Sequence, residues 1–589
     1  MRNHDAQNMQ NGVSRNSCAA KNVWSHSLAL SVAVGALYWL YGWRPFLVQM
    51  WNVVDDGLYV RQAEGFLNWG RSGLWLGSFD CFLLAKAPLY GVWLALIHFL
   101  GFPLRVGEFL LLFAGGLLFR RAVSPFRRLR LLEFIVVLCL LIGNPFLPED
   151  FILRRGGFQT ALTNLCLIAA IGLALRALAG LRERQVWALL TGLFFSLCYL
   201  NREEATWTSV AILVAFLIQW LGFLLSRRSG AATWRLLGRG EALVALSFAI
   251  GVLPPILTVC ALNKLHYGAF MTTFRRSSAF TSLYQRFTSL EPAGHQAYVP
   301  IARSTRMKAY DLSPTFAKMK PFLEGSEGYW HAGNAEHAAL NGRSPADQEF
   351  FVSSFEFSLL WAAEKMGAKR ADEMETTFRA IDRELGDAIR EKKIVAGASG
   401  PAILAAPIPG DFGRICSALW TSFSSLLFVR RDGYLRPEGG QSSHSQLELV
   451  GQLTHSWVEQ LPHTSAQYSM RAPILSSIKT VQKFVYPMLF LSLPGLLIWK
   501  RKEAFVRCPT QRSVFLWSML VPMAGLFAFC LSMAIVEVLG FKFLAGMGYN
   551  LLGFAPLSVL CAFAFTGLVT FIPDPLRRRS TPQGAVEGV

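Results

Sequence analysis

The sequence predicts an all-α polytopic membrane protein with about ten transmembrane helices, an external loop of interfacial helices and a mainly helical extracytoplasmic domain. Of its 589 residues, 53% are hydrophobic and only 16% are charged, whereas about a quarter of the residues in a soluble chain are charged. Apolar stretches of roughly 17–25 residues recur along the chain, which is the length that a helix needs to cross a bilayer.

Basic segments predict the orientation of the spans. A net charge of +19 could indicate a nucleic-acid partner, but the basic residues cluster in short loops between the apolar stretches. Such clusters are typical of cytoplasmic loops. The pattern therefore argues against nucleic acid and favours membrane lipid as a partner. The basic segments are residues 119–130, 175–184, 226–240, 499–508 and 574–580.

These loops divide the chain into five regions with both termini in the cytoplasm. Residues 1–22 are expected to be a disordered N-terminus, 23–262 a transmembrane catalytic module, 263–482 an extracytoplasmic domain, 483–572 the last spans, and 573–589 a cytoplasmic tail. The predicted spans are residues 24–43, 104–119, 131–147, 158–179, 186–200, 207–225, 241–262, 483–499, 513–538 and 546–572.

The external loop 44–102 ends in an apolar piece that we predict does not cross the membrane. Residues 87–102 and 104–119 are both apolar. If both crossed, the basic loop at 119–130 would lie outside. We therefore expect only the second piece to cross and the first to lie at the outer interface as an amphipathic or re-entrant helix.

The segment 263–482 is long enough for a domain of its own. Two helical patterns stand out, at residues 344–367 and 372–393. The spacing of Phe350, Phe351, Phe355, Leu359 and Leu360 places them on one helix face.

Ionisable residues gather in three predicted outer loops, each a few residues from a span. Short loops cannot carry their charges far from the membrane, so we expect these groups to converge around one cavity. The alternative is that outer loops are simply polar. The residues are Asp55, Asp56, Arg61, Glu64, Lys86, Glu149, Asp150, Arg154, Arg155, Arg202, Glu203 and Glu204.

This combination of charges suits one kind of chemistry. Arginine and lysine can hold the phosphate of a lipid-linked substrate at headgroup depth. A nearby carboxylate can act as general base on an acceptor hydroxyl or bind a divalent metal, for which Asp55 and Asp150 are the candidates. No cofactor is certain. The set predicts transfer of a sugar from a polyprenyl phosphate to an acceptor outside the cell.

The segments "DDGLYVRQAEGFLNWG" and "LAKAPLYGVW" resemble the first external loop of the GT-C integral-membrane glycosyltransferases. The similar branch holds the protein O-mannosyltransferases and the lipid A aminoarabinose transferases. The resemblance covers roughly residues 24–260. The matching elements are Asp55 or Asp56 with Tyr59, then Lys86, Pro88, Leu89 and Tyr90, then Glu149 or Asp150.

The resemblance implies an inverting transferase that acts at the periplasmic side of a bacterial inner membrane, with a glycan, lipid or protein as acceptor. Asp55 or Asp56 would be the base or would orient the acceptor, and Asp55 is favoured because Asp56 can serve as a helix N-cap. Glu149 or Asp150 would be the second carboxylate. Lys86, Arg61 and Arg202 would hold the donor phosphate. Further candidates are Tyr59, Glu64, Arg154, Arg155, Glu203 and Glu204.

Other interpretations of individual residues and of the whole chain stay open. Arg61 can instead pair with Glu64, and Arg202 can extend to lipid headgroups. His98 and His266 are expected to pack rather than to bind ligands. A transporter or flippase of a lipid-linked or anionic substrate would need charges near mid-span, and the spans are largely free of them. A membrane-anchored envelope assembly protein would leave the acidic loops unexplained.

Overall fold

The fold is taken from a computed structural model, which describes most of the chain. The described residues are 26–42, 46–47, 56–144, 156–178, 183–202, 206–227, 234–290, 298–299, 301–325, 332, 338, 344–350, 352–397, 410–429, 443–456, 458–459, 466–499, 511–539 and 550–571. Most of them are helical, which agrees with the predicted all-α class.

The described elements are helices, apart from two short strands. Two-residue strands β1 (Phe46–Leu47) and β2 (Val458–Glu459) pair in parallel, with Phe46 opposite Val458. In chain order the helices are α1 (His26–Leu40), α2 (Asp56–Leu67), α3 (Trp69–Ser72), α4 (Leu89–Leu100), α5 (Leu104–Val123), α6 (Leu131–Ile142), α7 (Gly156–Leu178), α8 (Arg184–Asn201), α9 (Thr208–Arg227), α10 (Trp234–Tyr267), α11 (Ser278–Ser289), α12 (Arg303–Leu312), α13 (Pro314–Ala317), α14 (Lys320–Glu324), α15 (Val352–Lys365), α16 (Ala371–Arg390), α17 (Asp411–Leu427), α18 (His444–Thr454), α19 (Ala466–Trp499), α20 (Gln511–Ser518), α21 (Leu520–Leu539) and α22 (Asn550–Phe571).

Every predicted span falls on one or two of these helices. Among the described residues, three helices are long and apolar enough to cross a membrane, or up to four when a bent pair counts as one span. They are Gly157–Ala177 in α7, Arg239–Tyr267 in α10, Phe515–Leu539 in α20 and α21, and the pair α4–α5. The larger count of about ten stays a prediction.

The junction of α4 and α5 bends the chain by 107°. Gly101 caps the end of α4 in the left-handed backbone region, with φ 68°. Its backbone N–H donates to His98 O at 3.0 Å. Pro103 then precedes the first residue of α5. Glycine adopts this conformation without strain, and proline cannot continue the preceding helix. A bend of this size is what the charge argument requires of an interfacial helix followed by a crossing one.

The first external loop and the segment after α10 share one hydrophobic core. Trp75 and Leu83 are buried in it together with Phe274, Phe355 and Phe378. Of the residues predicted to share a helix face, Phe355, Leu359 and Leu360 lie on α15 and Phe350 precedes it, and all four are buried. The boundary between residues 262 and 263 stays a prediction, and side chains on both sides of it contact each other.

Hydrogen bonds fasten this loop to the end of α10. Trp75 Nε1 donates to Asn263 Oδ1 at 3.1 Å. The hydroxyl of Tyr267 accepts from Leu76 N at 3.0 Å and donates to Gly77 O at 2.9 Å. These buried polar groups therefore join the external loop to the end of α10, and the first of the bonds spans a sequence separation of 188 residues.

The contact between α2 and this loop requires a glycine at position 65. A Cβ on Gly65 would lie 2.0 Å from the backbone carbon of Leu76. We expect Gly65→Ala to lower the stability by about 1–3 kcal/mol, because backbone cannot move aside as a flexible side chain can. Thermal unfolding of the purified protein measures this. Gly70→Ala is the control, since no atom lies within 4 Å of its added Cβ. Equal melting temperatures for both variants would contradict the prediction.

Candidate functional site

Helix α2 carries an aspartate and a tyrosine that are buried in the interior of the protein. Asp56 and Tyr59 are both completely buried. A carboxylate in the first turn is stabilised by the helix dipole. Arg61 lies on another side of the helix, because successive residues are about 100° apart, and forms an ion pair with Asp80. The alternative pairing of Arg61 with Glu64 is therefore replaced by a pairing with Asp80.

The start of α2 bears on the choice between Asp55 and Asp56 as the acid of the site. The preference for Asp55 assumed that Asp56 is the N-cap residue. Asp56 is the first residue of α2 that the structure describes, so the choice between the two aspartates stays a prediction. Asp55 lies outside the described residues, and Asp56 is the acid whose burial is visible.

Helix α4 and the loop before it pack directly on α2. Gln62 Nε2 donates to Leu83 O at 2.9 Å and lies 3.5 Å from Lys86 O. The rings of Tyr59 and Tyr90 meet edge to face, with centroids 5.2 Å apart. The two elements that carry the family resemblance, the Asp56–Tyr59 turn and the Lys86–Tyr90 segment, are therefore neighbours in space.

The first turn of α7 closes the next side of the site. Phe158 stacks on Trp93 of α4 at a centroid distance of 4.7 Å. Glu108 of α5 is buried and pairs with Arg105 at 3.1 Å. A Cβ on Gly157 would lie 2.7 Å from Glu108 Oε2, so this carboxylate lies against the start of α7, where a negative charge is stabilised. The second predicted outer loop enters α7 at this point.

The end of α8 brings in the third predicted outer loop. Asn201 Nδ2 donates to Gln159 Oε1 at 2.6 Å, and Gln159 Nε2 donates to Thr163 Oγ1 at 3.2 Å. Arg202 follows directly and donates its backbone N–H to Cys198 O at 2.9 Å. The described ends of the three loops are thus joined by contacts through α2, α4, α7 and α8.

Arg276 is a residue of this region that the sequence analysis missed. Its guanidinium carbon lies 5.0 Å from the ring centroid of Tyr199, two residues before Asn201. Phe274 N donates to Leu84 O at 2.9 Å, two residues before Lys86. Arg276 therefore lies between the Lys86 loop and the end of α8. The adjacent arginines after α10 were a visible signal, but their assignment to a separate domain hid it.

We call this region the outer-face site; it comprises Asp56, Tyr59, Lys86, Asn201 and Arg276. Asp56, Tyr59 and Asn201 are buried, and Arg276 is exposed; buried polar groups in a membrane protein are costly unless they are satisfied or used. Gln62 Oε1 and Trp93 Nε1 are buried beside the site without a hydrogen-bond partner among the described residues. They are atoms that a polar ligand could satisfy.

Of the remaining predicted site residues, Glu64 is described and the others lie outside the described residues; the two histidines were expected to pack. Glu64 is half-buried on α2, and burial raises the pKa of its carboxyl. His98 stacks on His455 at 5.0 Å and His266 lies edge-on to Trp69 at 5.9 Å, so both histidines pack against aromatic rings. No group of three metal-ligating side chains occurs within the described parts of the chain. Outside those parts lie Asp55, Glu149, Asp150, Arg154, Arg155, Glu203 and Glu204.

Comparison with known proteins gives similarity among solved structures. No family model matches the chain, and neither does any curated protein. Among solved structures, the crystal structure of ArnT from Cupriavidus metallidurans in the apo state matches 91% of this chain and 78% of that chain, with 12% sequence identity and a TM-score of 0.28. A TM-score this low shows neither the fold nor the function of this chain.

Proposed function

We propose that the chain is a membrane glycosyltransferase that moves a sugar from a polyprenyl-phosphate donor to an acceptor at the extracytoplasmic face. The observation that carries this proposal is the packing of buried Asp56 and Tyr59 against the Lys86–Tyr90 segment. A carboxylate and a lysine-bearing loop thus lie side by side, near the described ends of the three predicted outer loops. These are the groups needed to activate a hydroxyl and to bind a phosphate.

In this mechanism Asp56 is the general base. It accepts the proton of the acceptor hydroxyl as that oxygen attacks the anomeric carbon, while the bond from this carbon to the phosphate oxygen breaks. A single displacement inverts the anomeric centre. The second carboxylate would come from Glu149 or Asp150, and Asp55 and Asp150 would bind a divalent metal if one is used.

The leaving group is the polyprenyl phosphate, which gains negative charge as the bond breaks. Lys86 and Arg276 would stabilise that charge from two sides of the site, with Arg202 as a third cation at the end of α8. Arg61 stays a candidate, although its ion pair with Asp80 competes with this role. Phe99, at the end of α4, is 81% exposed, which suits a helix at the membrane interface, where the donor's lipid chain would enter.

Phosphate binding can be tested without knowledge of the sugar or the acceptor, because the product is free polyprenyl phosphate. We expect Lys86→Met and Arg276→Met each to weaken undecaprenyl phosphate binding about tenfold or more, since each removes a charge-assisted hydrogen bond. Native mass spectrometry of the purified protein in detergent measures the dissociation constant.

Arg71→Met is the matched control, because it removes an exposed cation from α3 in the same external loop. Its affinity should equal that of the unmodified chain. Unchanged binding in both Lys86→Met and Arg276→Met would remove the phosphate assignment. A flippase would also bind this lipid, and the Asp56 experiment in the Discussion separates the two functions because only a transferase consumes the donor.

A further inference from the structure

Helix α17 has two unlike faces. Ala418, Ser422 and Ser425 are buried and lie on one side. Phe412 and Trp420 lie on the other side and are 74% and 65% exposed. Small residues on the packed side allow two helix backbones to approach closely, as is typical of helices inside membranes. Large apolar residues on the open side are unusual for a helix in water.

The charges of α17 are confined to its first turn. Asp411 Oδ1 and Arg414 Nη1 form an ion pair at 2.8 Å. Residues 415–427 contain no Asp, Glu, Lys or Arg. A helix of this many residues is about 20 Å long. Hydroxyls within this stretch bond back to the helix, as Thr421 Oγ1 does to Ser417 O at 3.0 Å and Ser424 Oγ to Thr421 O at 3.1 Å. Hydroxyls satisfied in this way are tolerated in hydrocarbon.

The partner of α17 is a candidate membrane span. Ala418 is buried in one cluster with Ala534, Val538 and Leu539 at the end of α21. Leu426, near the other end of α17, belongs to the main core built by the predicted spans. Because the predicted topology puts the end of α21 at the outer face, α17 runs from that face into the bundle.

The exposed side of α17 adjoins other apolar surface. Phe423 contacts Phe490 of α19, with ring centroids 5.2 Å apart. On α19 the side chains of Phe484, Met488 and Leu491 are each exposed by two thirds or more, at 67%, 70% and 66%. Phe527 of α21 is also exposed. These side chains lie on predicted spans, so the surface that continues onto α17 is one that lipid covers.

We infer that α17 is embedded in the bilayer, with Cys416 and Trp420 facing lipid hydrocarbon and Phe412, beside the Asp411–Arg414 ion pair, at the membrane surface. Residues 411–427 therefore leave the extracytoplasmic region to which the sequence analysis assigned them. Helix α18 packs on α4, where His455 stacks on His98 at 5.0 Å, so the chain is back at the outer interface by then. Helix α17 is accordingly a re-entrant element and not an additional crossing.

Cysteine accessibility in proteoliposomes tests this placement. We expect Trp420→Cys to add no label from a membrane-impermeant maleimide relative to the unmodified chain, because a thiol in hydrocarbon neither meets the reagent nor ionises. Lys369→Cys is the control, since Lys369 is exposed in the external region, and it should add one label. Both variants should add one label after denaturation in SDS, which shows that each new thiol is reactive.

Rapid labelling of Trp420→Cys in the intact proteoliposome would overturn the inference. That result would mean that the apolar face of α17 meets water, or a protein partner that is absent from the purified sample. A second position keeps the test independent of Trp420: Thr421→Cys, on an exposed residue of the charge-free part of α17, should behave in the same way. The outcome does not depend on transferase activity.

Discussion

Replacement of Asp56 by Asn is expected to reduce sugar transfer by about 10²–10⁴-fold while leaving undecaprenyl phosphate binding intact, which is the usual contribution of a general base. The amide has nearly the same shape as the carboxylate, so the buried first turn of α2 can keep its packing. The amide of the asparagine cannot accept the proton of the acceptor hydroxyl. The loss should therefore appear in turnover and not in affinity for the leaving group.

Transfer can be followed without a known acceptor by mass spectrometry of the donor pool. In native membranes that express each variant, the ratio of sugar-bearing to free polyprenyl phosphate reports consumption of the donor. Asp80→Asn is the matched control, because Asp80 lies in the same external loop but pairs with Arg61 on another side of α2. It should retain most of the activity.

The same assay decides between the adjacent aspartates. If Asp55→Asn abolishes transfer and Asp56→Asn does not, the base is Asp55. If neither variant changes donor consumption, the assignment of this turn to catalysis is wrong. Donor binding without any consumption in the unmodified chain would instead favour a flippase.

Replacement of Arg306 by Met should be the most destabilising change in the external region. Arg306 is completely buried, and its guanidinium bonds Glu324 at 2.9 and 3.2 Å and Glu349 at 3.1 Å. Methionine fills much of the volume but leaves two carboxylates without their cation. Removal of one partner from a buried ionic cluster costs about 3–5 kcal/mol. We expect a correspondingly lower unfolding temperature and early proteolysis of the external region.

An exposed pair serves as the control for this prediction. Arg370 pairs with Asp372 at 3.1 Å, and the two side chains are 53% and 43% exposed, so Arg370→Met should cost less than about 1 kcal/mol. In a double-mutant cycle, Glu324→Gln should cost less in the Arg306→Met background than in the unmodified chain. Equal thermal shifts for Arg306→Met and Arg370→Met would show that the buried cluster is not what stabilises this region.

Part of the outer-face site was predictable because its signals are local. The acidic turn and the Lys86–Tyr90 segment are short motifs, and the structure places them together. Which of the two aspartates faces the site stays a prediction, because a helix can begin one residue earlier or later without any change in pattern. Arg276 was missed because its place beside Tyr199 depends on how the segment after α10 packs, which no neighbouring residue in the sequence indicates.

The sequence by itself determined the helical class, and it predicts the positions of the spans and an interfacial place for α4, because hydrophobic period and charge act over a few turns of helix. Only the tertiary structure decided which segments meet. Trp75 bonds Asn263 across a sequence separation of 188 residues, and α17 packs on α21 although α18, α19 and α20 lie between them in the chain. Such contacts depend on the complementary shapes of distant surfaces, and that information is not contained in any short stretch of the chain.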